Sequence, residues 1–447
     1  MYWTRYYNQG MVTNPALRTR SQVQPKETMN DAPSASLDCT AGVAGCEPVV
    51  ANAAQTPADQ RFWGWTAMGL GVLAFCKGIR LPNDWSYTQA QLDYSAGLIR
   101  RGFFGATLGH WLHLARYGHF AVVSTALLLL LMAALALLAR SSKLAQRMPP
   151  GELLAVYASS YSVSYLAHLN GYLDIPLALL CVAPLFVRRT GWRLAAAVCC
   201  TLLAIPIHEQ FFFAFLPLLI VSVLFGVAIA RTAAERRLAW TGGTLLAVLG
   251  LGLMMYFVRQ DSISTSQAGE LTQSIARSAD HPLDPEVLKG ILSNPRENLQ
   301  IMKSVWARPT FLPAQLESLL LFGPTAAVLS WATLLLLRRW MPGKQRRLYA
   351  AVLLATLAPL SLHLVGWDKN RWNEILCLNA FLLLLLVSRL ASGVTVQLPV
   401  RLRRACLLVM LLNMASGGGM LDNRHIRPFP FLRNADAAVV SAPFLGR

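Results

Sequence analysis

The chain has 447 residues, of which 55% are hydrophobic and only 14% are charged, and its mean hydropathy is +0.43. A soluble domain carries about 25% charged residues, so this composition excludes an ordinary water-soluble enzyme. The net charge of +18 does not indicate nucleic-acid binding, because Lys and Arg cluster in short loops between apolar segments, as membrane topology requires.

Residues 1–60 are polar and show no periodic apolar pattern, which predicts a disordered cytoplasmic tail without a cleavable signal peptide. Apolar blocks follow over 61–419, many of them near the length of about 20 residues that crosses a bilayer. We therefore predict an all-α, polytopic transmembrane helical bundle with an extracytoplasmic C-terminal tail at 420–447. Its eleven predicted spans are 62–79, 118–139, 152–168, 172–187, 194–207, 210–230, 238–258, 316–337, 348–366, 375–388 and 405–418.

The positions of Lys and Arg predict the orientation of these spans. With the N-terminus in the cytoplasm, every strongly basic connection falls on the cytoplasmic side, whereas the opposite turns at 169–173 and 208–210 contain no Lys or Arg. Two predicted extracytoplasmic loops are long, at 80–117 and 259–315. Helix-start signals at Asp284 and Asn294 predict two short amphipathic helices in the second loop, near the membrane surface.

Acids and histidines gather at the predicted extracytoplasmic ends of the spans, whereas the cytoplasmic connections hold mostly Lys and Arg. Ionisable groups at apolar helix ends usually face a protein interior or a watery cavity. We take as catalytic candidates the carboxylates Asp84 and Asp93. The candidates for binding a donor phosphate or substrate are Arg100, Arg101, His168, Asp174, His208, Glu209, Asp368 and Arg371.

The candidates in the first loop also have structural interpretations. Asp84 and Asp93 are nine residues apart, or about 180° around one helix, so both cannot face one pocket unless the segment bends. One of them could then cap a turn, or both could be solvated loop acids. Arg100 and Arg101 could grip a phosphate through bidentate hydrogen bonds or could extend to lipid headgroups.

The later candidates have structural interpretations as well. His208 and Glu209 lie at a tight turn and could form a structural pair; they are not a zinc motif, because Phe212 stands where the second His belongs. Asp174 could cap the next helix. Interfacial aromatic residues explain the tryptophans of the run Trp367–Trp372, but not its acid and guanidinium. The eight cysteines include no Cys-x-x-Cys pair, so no metal site or disulfide framework is predicted; a divalent cofactor stays open.

The run PNDWSYTQA at Pro82–Ala90, directly after the first span, resembles the first-loop motif of the GT-C superfamily of integral-membrane glycosyltransferases. That superfamily includes protein O-mannosyltransferases and the lipid A aminoarabinose transferase. The resemblance implies a GT-C-like fold with Asp84 as the catalytic carboxylate. Trp85 departs from the pattern, because the common motif has a second acid there, and the motif covers about 20 residues. The runs Asp93–Gly102 and Asp368–Trp372 are similar to those of bacterial membrane proteins of this type.

The resemblance also implies a reaction at the bacterial inner membrane, with the active face extracytoplasmic. A sugar would move from a polyprenyl-phosphate donor in the lipid bilayer to a cell-envelope acceptor. Asp84 would act as general base toward the acceptor hydroxyl. Arg100, Arg101 or Arg371 would neutralise the leaving phosphate.

Two other classes of protein fit part of the pattern. An O-antigen polymerase or ligase would rely on arginines of the second loop, namely Arg277, Arg296 and Arg308. A glycolipid flippase or transporter would have charges at mid-membrane and interrupted helices in related halves. The span 152–168 contains four serines, but we find no charge at mid-depth and no internal repeat, which favours an interfacial site.

Overall fold

A computed structural model describes residues 57–95, 97, 99–259, 265–287, 295–343, 345–366 and 368–416, and every regular element among them is a helix. The fifteen longer helices are α1 (Pro57–Gly78), α2 (Asp84–Ala90), α3 (Tyr117–Ser142), α4 (Glu152–Ala158), α5 (Tyr161–His168), α6 (Asp174–Leu185), α7 (Thr190–Ile207), α8 (Leu216–Ile229), α9 (Ala233–Arg259), α10 (Thr265–Ser278), α11 (Pro295–Trp306), α12 (Phe311–Trp340), α13 (Gln345–Leu357), α14 (Lys369–Leu390) and α15 (Val400–Ala415). Shorter helical turns occupy Gly102–Phe104, Gly105–Gly109, Leu144–Arg147, Phe211–Ala214 and Ala358–Leu364.

Six helical segments of the described chain are long and apolar enough to cross a membrane. They are Tyr117–Arg147, Thr190–Ile207, Ala233–Phe257, Phe311–Trp340, Arg346–Leu364 and Lys369–Leu390. The apolar helices α6 and α8 are shorter than these. The chain is therefore a multi-pass membrane protein, while the number of eleven spans and the cytoplasmic N-terminus stay predictions.

Helix α14 lies at the centre of the bundle. Within its apolar window 89% of the residues are buried, against 28% to 44% in the other five long segments. Its most extensive contacts are with α12, and it also packs on α3, α5 and α13. Outer helices such as α3 and α15 instead expose leucines, as lipid-facing helices do. Polar side chains on α14 consequently face protein.

The predicted span 152–168 is two helices, α4 and α5, separated by Ser159 and Ser160. Ser160 has an extended backbone, with φ of −67° and ψ of 154°, and the hydroxyl of Ser159 bonds back to the carbonyl of Val156 at 3.1 Å. Serines favour such helix ends because their hydroxyls compete for backbone groups. Both serines are buried, so the break lies inside the bundle.

The two long loops pack on each other. Leu92 and Ile99 of the first loop form a small apolar cluster with Leu271, Ile275 and Val287 of the second. The helix predicted after Asn294 is confirmed as α11, and the helix start predicted at Asp284 is confirmed by the turn that follows it, whereas α10, upstream of both, was not predicted. Only one helical turn, at residues 285–287, is described after Asp284.

The predicted tails lie almost wholly outside the described residues. Residues 1–56 and 417–447 are not described, so the predicted disordered N-terminal tail and the C-terminal tail at 420–447 stay predictions. Helix α1 begins at Pro57, inside the segment predicted as the N-terminal tail.

Candidate functional site

The turns that carry the predicted residues meet at one end of the bundle, which we call the site end. Arg101 of the first loop contacts Glu209, and Gln210 beside it contacts Asp174 at the start of α6. Asp174 in turn contacts Arg371 on α14. We call this set the charged cluster; its members are Arg101, Asp174, His208, Glu209, Gln210 and Arg371.

Arg101 and Glu209 form a bidentate ion pair. The Arg101 Nε–H lies 3.1 Å from each carboxylate oxygen, and Nη2 lies 2.6 Å from Oε1. Burial opposes ionisation of Glu209, but the charge of Arg101 and the contact with His208 outweigh it and hold the pKa of Glu209 well below its usual range. Arg101 is therefore occupied by a protein carboxylate rather than extended toward lipid, and a phosphate would have to share or displace Glu209.

His208 is buried beside this ion pair. Its Nδ1 lies 3.2 Å from both the Glu209 carboxylate and the backbone N–H of Gln210. Burial, together with the positive charge of Arg101, lowers the pKa of His208 to about 4, although Glu209 acts in the opposite direction. The imidazole is consequently neutral at pH 7.

Asp174 and Arg371 form a second, deeper ion pair, with Nε and Oδ2 2.7 Å apart and the side chains 1% and 8% exposed. The Gln210 amide donates to the other carboxylate oxygen at 2.5 Å. The guanidinium also lies over the rings of Tyr172 and Trp372, at 5.5 and 5.2 Å from their centroids. The capping interpretation of Asp174 is wrong, because α6 begins without a side-chain cap and the carboxylate is used by these two partners.

Asp368 and His168 extend this polar region through Tyr165. The Tyr165 hydroxyl donates to Asp368 at 3.4 Å, and the His168 ring stacks on the Tyr165 ring with centroids 5.7 Å apart. Burial raises the pKa of Asp368, with Asp174 adding to the rise and Arg371 opposing it. Trp367 lies outside the described residues.

Asp84 is the first residue of α2, and its side chain is 56% exposed. Its carboxylate lies 3.0 Å from Nε2 of His281 in the second loop, and we call these two side chains the loop pair. The His281 ring stacks on Tyr117 with centroids 4.0 Å apart and meets the edge of Tyr87 at 5.4 Å. Within the described chain the Asp84 carboxylate contacts no member of the charged cluster. His281 was not among the residues predicted from the sequence; its position between Asp280 and Pro282 in an acid-rich segment was the available signal.

Tyr87 and Tyr117, whose rings contact His281, hold the loop pair in place. The Tyr87 hydroxyl bonds to the carbonyl of Ala115 and approaches Asp280 at 3.5 Å, while Asp280 accepts the backbone N–H of Tyr117 at 2.8 Å. Burial, with a smaller contribution from the charge of Asp280, raises the pKa of Tyr87 to about 12. Tyr87 is therefore a neutral hydrogen-bond donor that ties the two loops together.

The loop pair and the charged cluster are joined through Tyr172. Asn83, which caps α2 and directly precedes Asp84, donates from its amide to the Tyr172 hydroxyl at 3.1 Å. The ring of Tyr172 lies under the guanidinium of Arg371. Asn83, the residue before Asp84, is thus connected through Tyr172 to the guanidinium of Arg371.

Asp93 does not join either group. Its Oδ1 accepts the backbone N–H of Ser95 at 3.0 Å and the Ser95 hydroxyl at 2.6 Å, so it caps a turn after α2 has ended. The chain bends between Asp84 and Asp93, which resolves the nine-residue spacing. Arg100 is half-buried, and burial lowers its pKa, while Glu209 opposes this and Arg101 adds to it.

No set of three or more His, Cys, Asp or Glu side chains among the described residues could hold a metal ion. Two surface cavities include none of the predicted site residues; their linings include Arg61, Arg140, Lys143, Met255, Tyr256 and Arg259. The candidate site consists of the partly exposed loop pair and the more deeply buried charged cluster.

No family model, curated protein or solved structure matches this chain. Fold and site together define a multi-pass helical membrane protein with ionisable side chains concentrated at one end of its bundle.

Proposed function

We propose that this protein is a GT-C-type integral-membrane glycosyltransferase that moves a sugar from a polyprenyl-phosphate donor to a cell-envelope acceptor. One observation carries the proposal: the Asp84 carboxylate is largely exposed at the start of α2, in the segment that follows α1, and is paired with His281 at 3.0 Å. A general base needs this combination of access to substrate and a fixed orientation.

In the proposed reaction Asp84 takes the proton of an acceptor hydroxyl as the oxygen attacks the anomeric carbon of the donor sugar. The bond between that carbon and the phosphate oxygen breaks, and the phosphate leaves with the electron pair. His281, held against the ring of Tyr117, orients the carboxylate. The enzyme thus needs a positive group near the leaving phosphate.

Arg371 retains a hydrogen-bond donor for that role. Its Nε lies 2.7 Å from Asp174 in an ion pair, whereas its buried Nη2 has no hydrogen-bond partner among the described residues. Arg101 is engaged by Glu209 through two of its nitrogens, so its charge is already compensated and we do not assign the phosphate to it. We therefore assign the phosphate to the Arg371 side of the site, next to Tyr172.

The test compares Asp84→Asn with Asp93→Asn in membranes supplied with undecaprenyl-phosphate sugars labelled in the sugar. We expect Asp84→Asn to lower transfer by about 10²- to 10⁴-fold, the usual contribution of a general base. Asp93→Asn is the matched control, because Asp93 only caps a turn, and it should retain transfer within a few-fold. Transfer that survives in the Asp84→Asn protein, at normal protein levels, removes Asp84 from this role.

The polymerase or ligase interpretation receives less support from the structure. Its arginines Arg277 and Arg308 are exposed on the second loop, and neither belongs to the charged cluster. The side chain of Arg296 lies outside the described residues. Two features agree with the transporter interpretation: α14 carries a buried acid, Glu374, and the neighbouring predicted span 152–168 is interrupted.

A further inference from the structure

Glu374 is a fully buried carboxyl group that the proposed transfer reaction does not use. It lies in the second turn of α14, the most buried of the long apolar helices, and has 0% relative exposure. The Ser162 hydroxyl on α5 donates to its Oε1 at 3.0 Å. Its Oε2 is buried and has no hydrogen-bond partner among the described residues. Buried polar atoms are normally hydrogen-bonded, so the lack of a partner at Oε2 requires an explanation.

The charged groups around Glu374 do not provide a counter-ion. Asp174 on α6 and Arg371 on α14 face it, but they neutralise each other in their own ion pair at 2.7 Å. Cys377 on α14 and Tyr157 on α4 also face it, and neither supplies a positive charge. An ionised Glu374 would therefore be a third, uncompensated charge in a low-dielectric interior, where a carboxylate is far less stable than the neutral acid.

The interruption between α4 and α5 lies beside this group. Ser162 belongs to the first turn of α5, directly after the break at Ser159 and Ser160. Interrupted helices within a bundle are found where backbone lines a binding site or a cavity, since unpaired backbone is not tolerated in lipid. The hydrogen bond from Ser162 thus connects the charge state of Glu374 to the least regular part of the bundle core.

We propose that Glu374 is a proton-binding site within the bundle. At pH 7 the proton occupies Oε2 and the acid is neutral. On release, the O–H bond breaks, the proton passes to a water molecule, and the negative charge stays on the carboxylate. Asp174, which faces Glu374, contacts Gln210, and the neighbouring Arg101–Glu209 pair is partly exposed, so the charged cluster is the polar region between Glu374 and the surface at the site end.

Infrared spectroscopy of the full-length protein in detergent or lipid tests this directly, because a neutral carboxylic acid has a carbonyl band separate from that of carboxylates. We expect such a band at pH 7, shifted on exchange into D2O and lost in Glu374→Gln. Glu317→Gln is the matched control: Glu317 lies on the neighbouring helix α12, its side chain is 55% exposed, and it contacts Lys369 at 3.8 Å. The control should leave the band unchanged.

A second variant covers the case in which Glu374→Gln does not fold. Ser162→Ala keeps the acid but removes the hydrogen bond to its carbonyl oxygen, so the band should move to higher frequency. The proposal is overturned if wild-type protein has no carboxylic-acid band at pH 7, or if the band is the same in every foldable variant. Because this measurement involves no sugar, its outcome is independent of the glycosyltransferase test.

Discussion

At the scale of single residues, the site end is defined by how each charge is compensated. Arg101 and Glu209 satisfy each other at 2.6 Å in a partly exposed pair, and Arg371 and Asp174 do so at 2.7 Å in a buried one. Removing one member of such a pair leaves the other uncompensated, which is more destabilising than removing both. His208 differs, because it is buried in its neutral form.

The neutral His208 predicts a pH dependence of stability. Its pKa is about 4 in the fold and about 6.5 in an unfolded chain, so between these values the unfolded chain binds the additional proton. The contribution of His208 to the free energy of unfolding should be constant above pH of about 6.5 and fall by about 1.4 kcal/mol per pH unit between that pH and its pKa of about 4 in the fold. Glu209 affects stability only at lower pH. Because its pKa is depressed in the fold, its ionised form stabilises the protein, and this stabilisation is lost as the pH falls below about 4.3.

Thermal unfolding of purified protein, followed from about pH 8 to about pH 4.5, measures this effect. The His208→Gln protein should lose most of the decline between pH of about 6.5 and 4.5. His119→Gln is the control, because His119 is exposed on α3 and should leave the decline intact. An unchanged pH profile in His208→Gln would show that another group titrates.

At the scale of helices, close approach of backbones fixes the position of α5. A Cβ atom built at Gly78, the last residue of α1, would lie 1.8 Å from the carbonyl oxygen of Ser164 on α5. Backbone cannot yield as a side chain does, so only glycine allows this approach. Since Ser162 lies in the same helix as Ser164, the packing of α1 also positions the hydrogen bond to Glu374.

We therefore expect Gly78→Ala to destabilise the protein by about 1–3 kcal/mol, the usual effect of overpacking. Gly69→Ala is the matched control in the same helix, because a Cβ atom at Gly69 meets nothing within 4 Å. That change should be neutral or slightly stabilising, since alanine favours helix over glycine. Denaturation midpoints of the two variants measure the difference, and equal midpoints would contradict the close approach.

At the scale of the whole molecule, the bundle arranges apolar surface outside and polar side chains along α14. Leucines on α3 and α15 are exposed as if toward lipid, while Arg371, Glu374 and Asn379 on α14 are buried. The two ends also differ in charge: acids and histidines meet at the site end, and Lys and Arg dominate the connections that join the opposite helix ends. This asymmetry predicts that the end rich in Lys and Arg faces the cytoplasm and that the site end faces the opposite side.

Cysteine labelling tests the orientation. In a protein from which the native cysteines have been removed, Ser278→Cys at the end of α10 should react with a membrane-impermeant maleimide in intact cells. Ser392→Cys, just after α14, should react only after lysis; both serines are exposed. The reverse pattern would invert the topology and place the loop pair in the cytoplasm, which excludes the proposed reaction.

The sequence predicted the helices better than the site. Apolar blocks coincide with helices such as α3, α7 and α9 because hydrophobicity and length are local properties. The break at Ser159 and Ser160 was not predicted, although four serines occur together there, because an uninterrupted span satisfies the same hydropathy pattern. Capping was an alternative interpretation of Asp174 for a similar reason: its local sequence fits a helix start, whereas its partners Gln210 and Arg371 lie elsewhere in the chain.

By itself the sequence determined that this chain is a multi-pass helical membrane protein, and it placed the unusual ionisable residues at helix ends. Only the tertiary structure decided which charges pair. Arg101 and Glu209 are 108 residues apart, and Asp84 and His281 are 197 apart, so their contacts depend on the order in which helices pack. Hydropathy is a local property of the sequence and determines where the helices form. Compensation of buried charge depends on contacts between distant helices and determines which ionisable side chains pair.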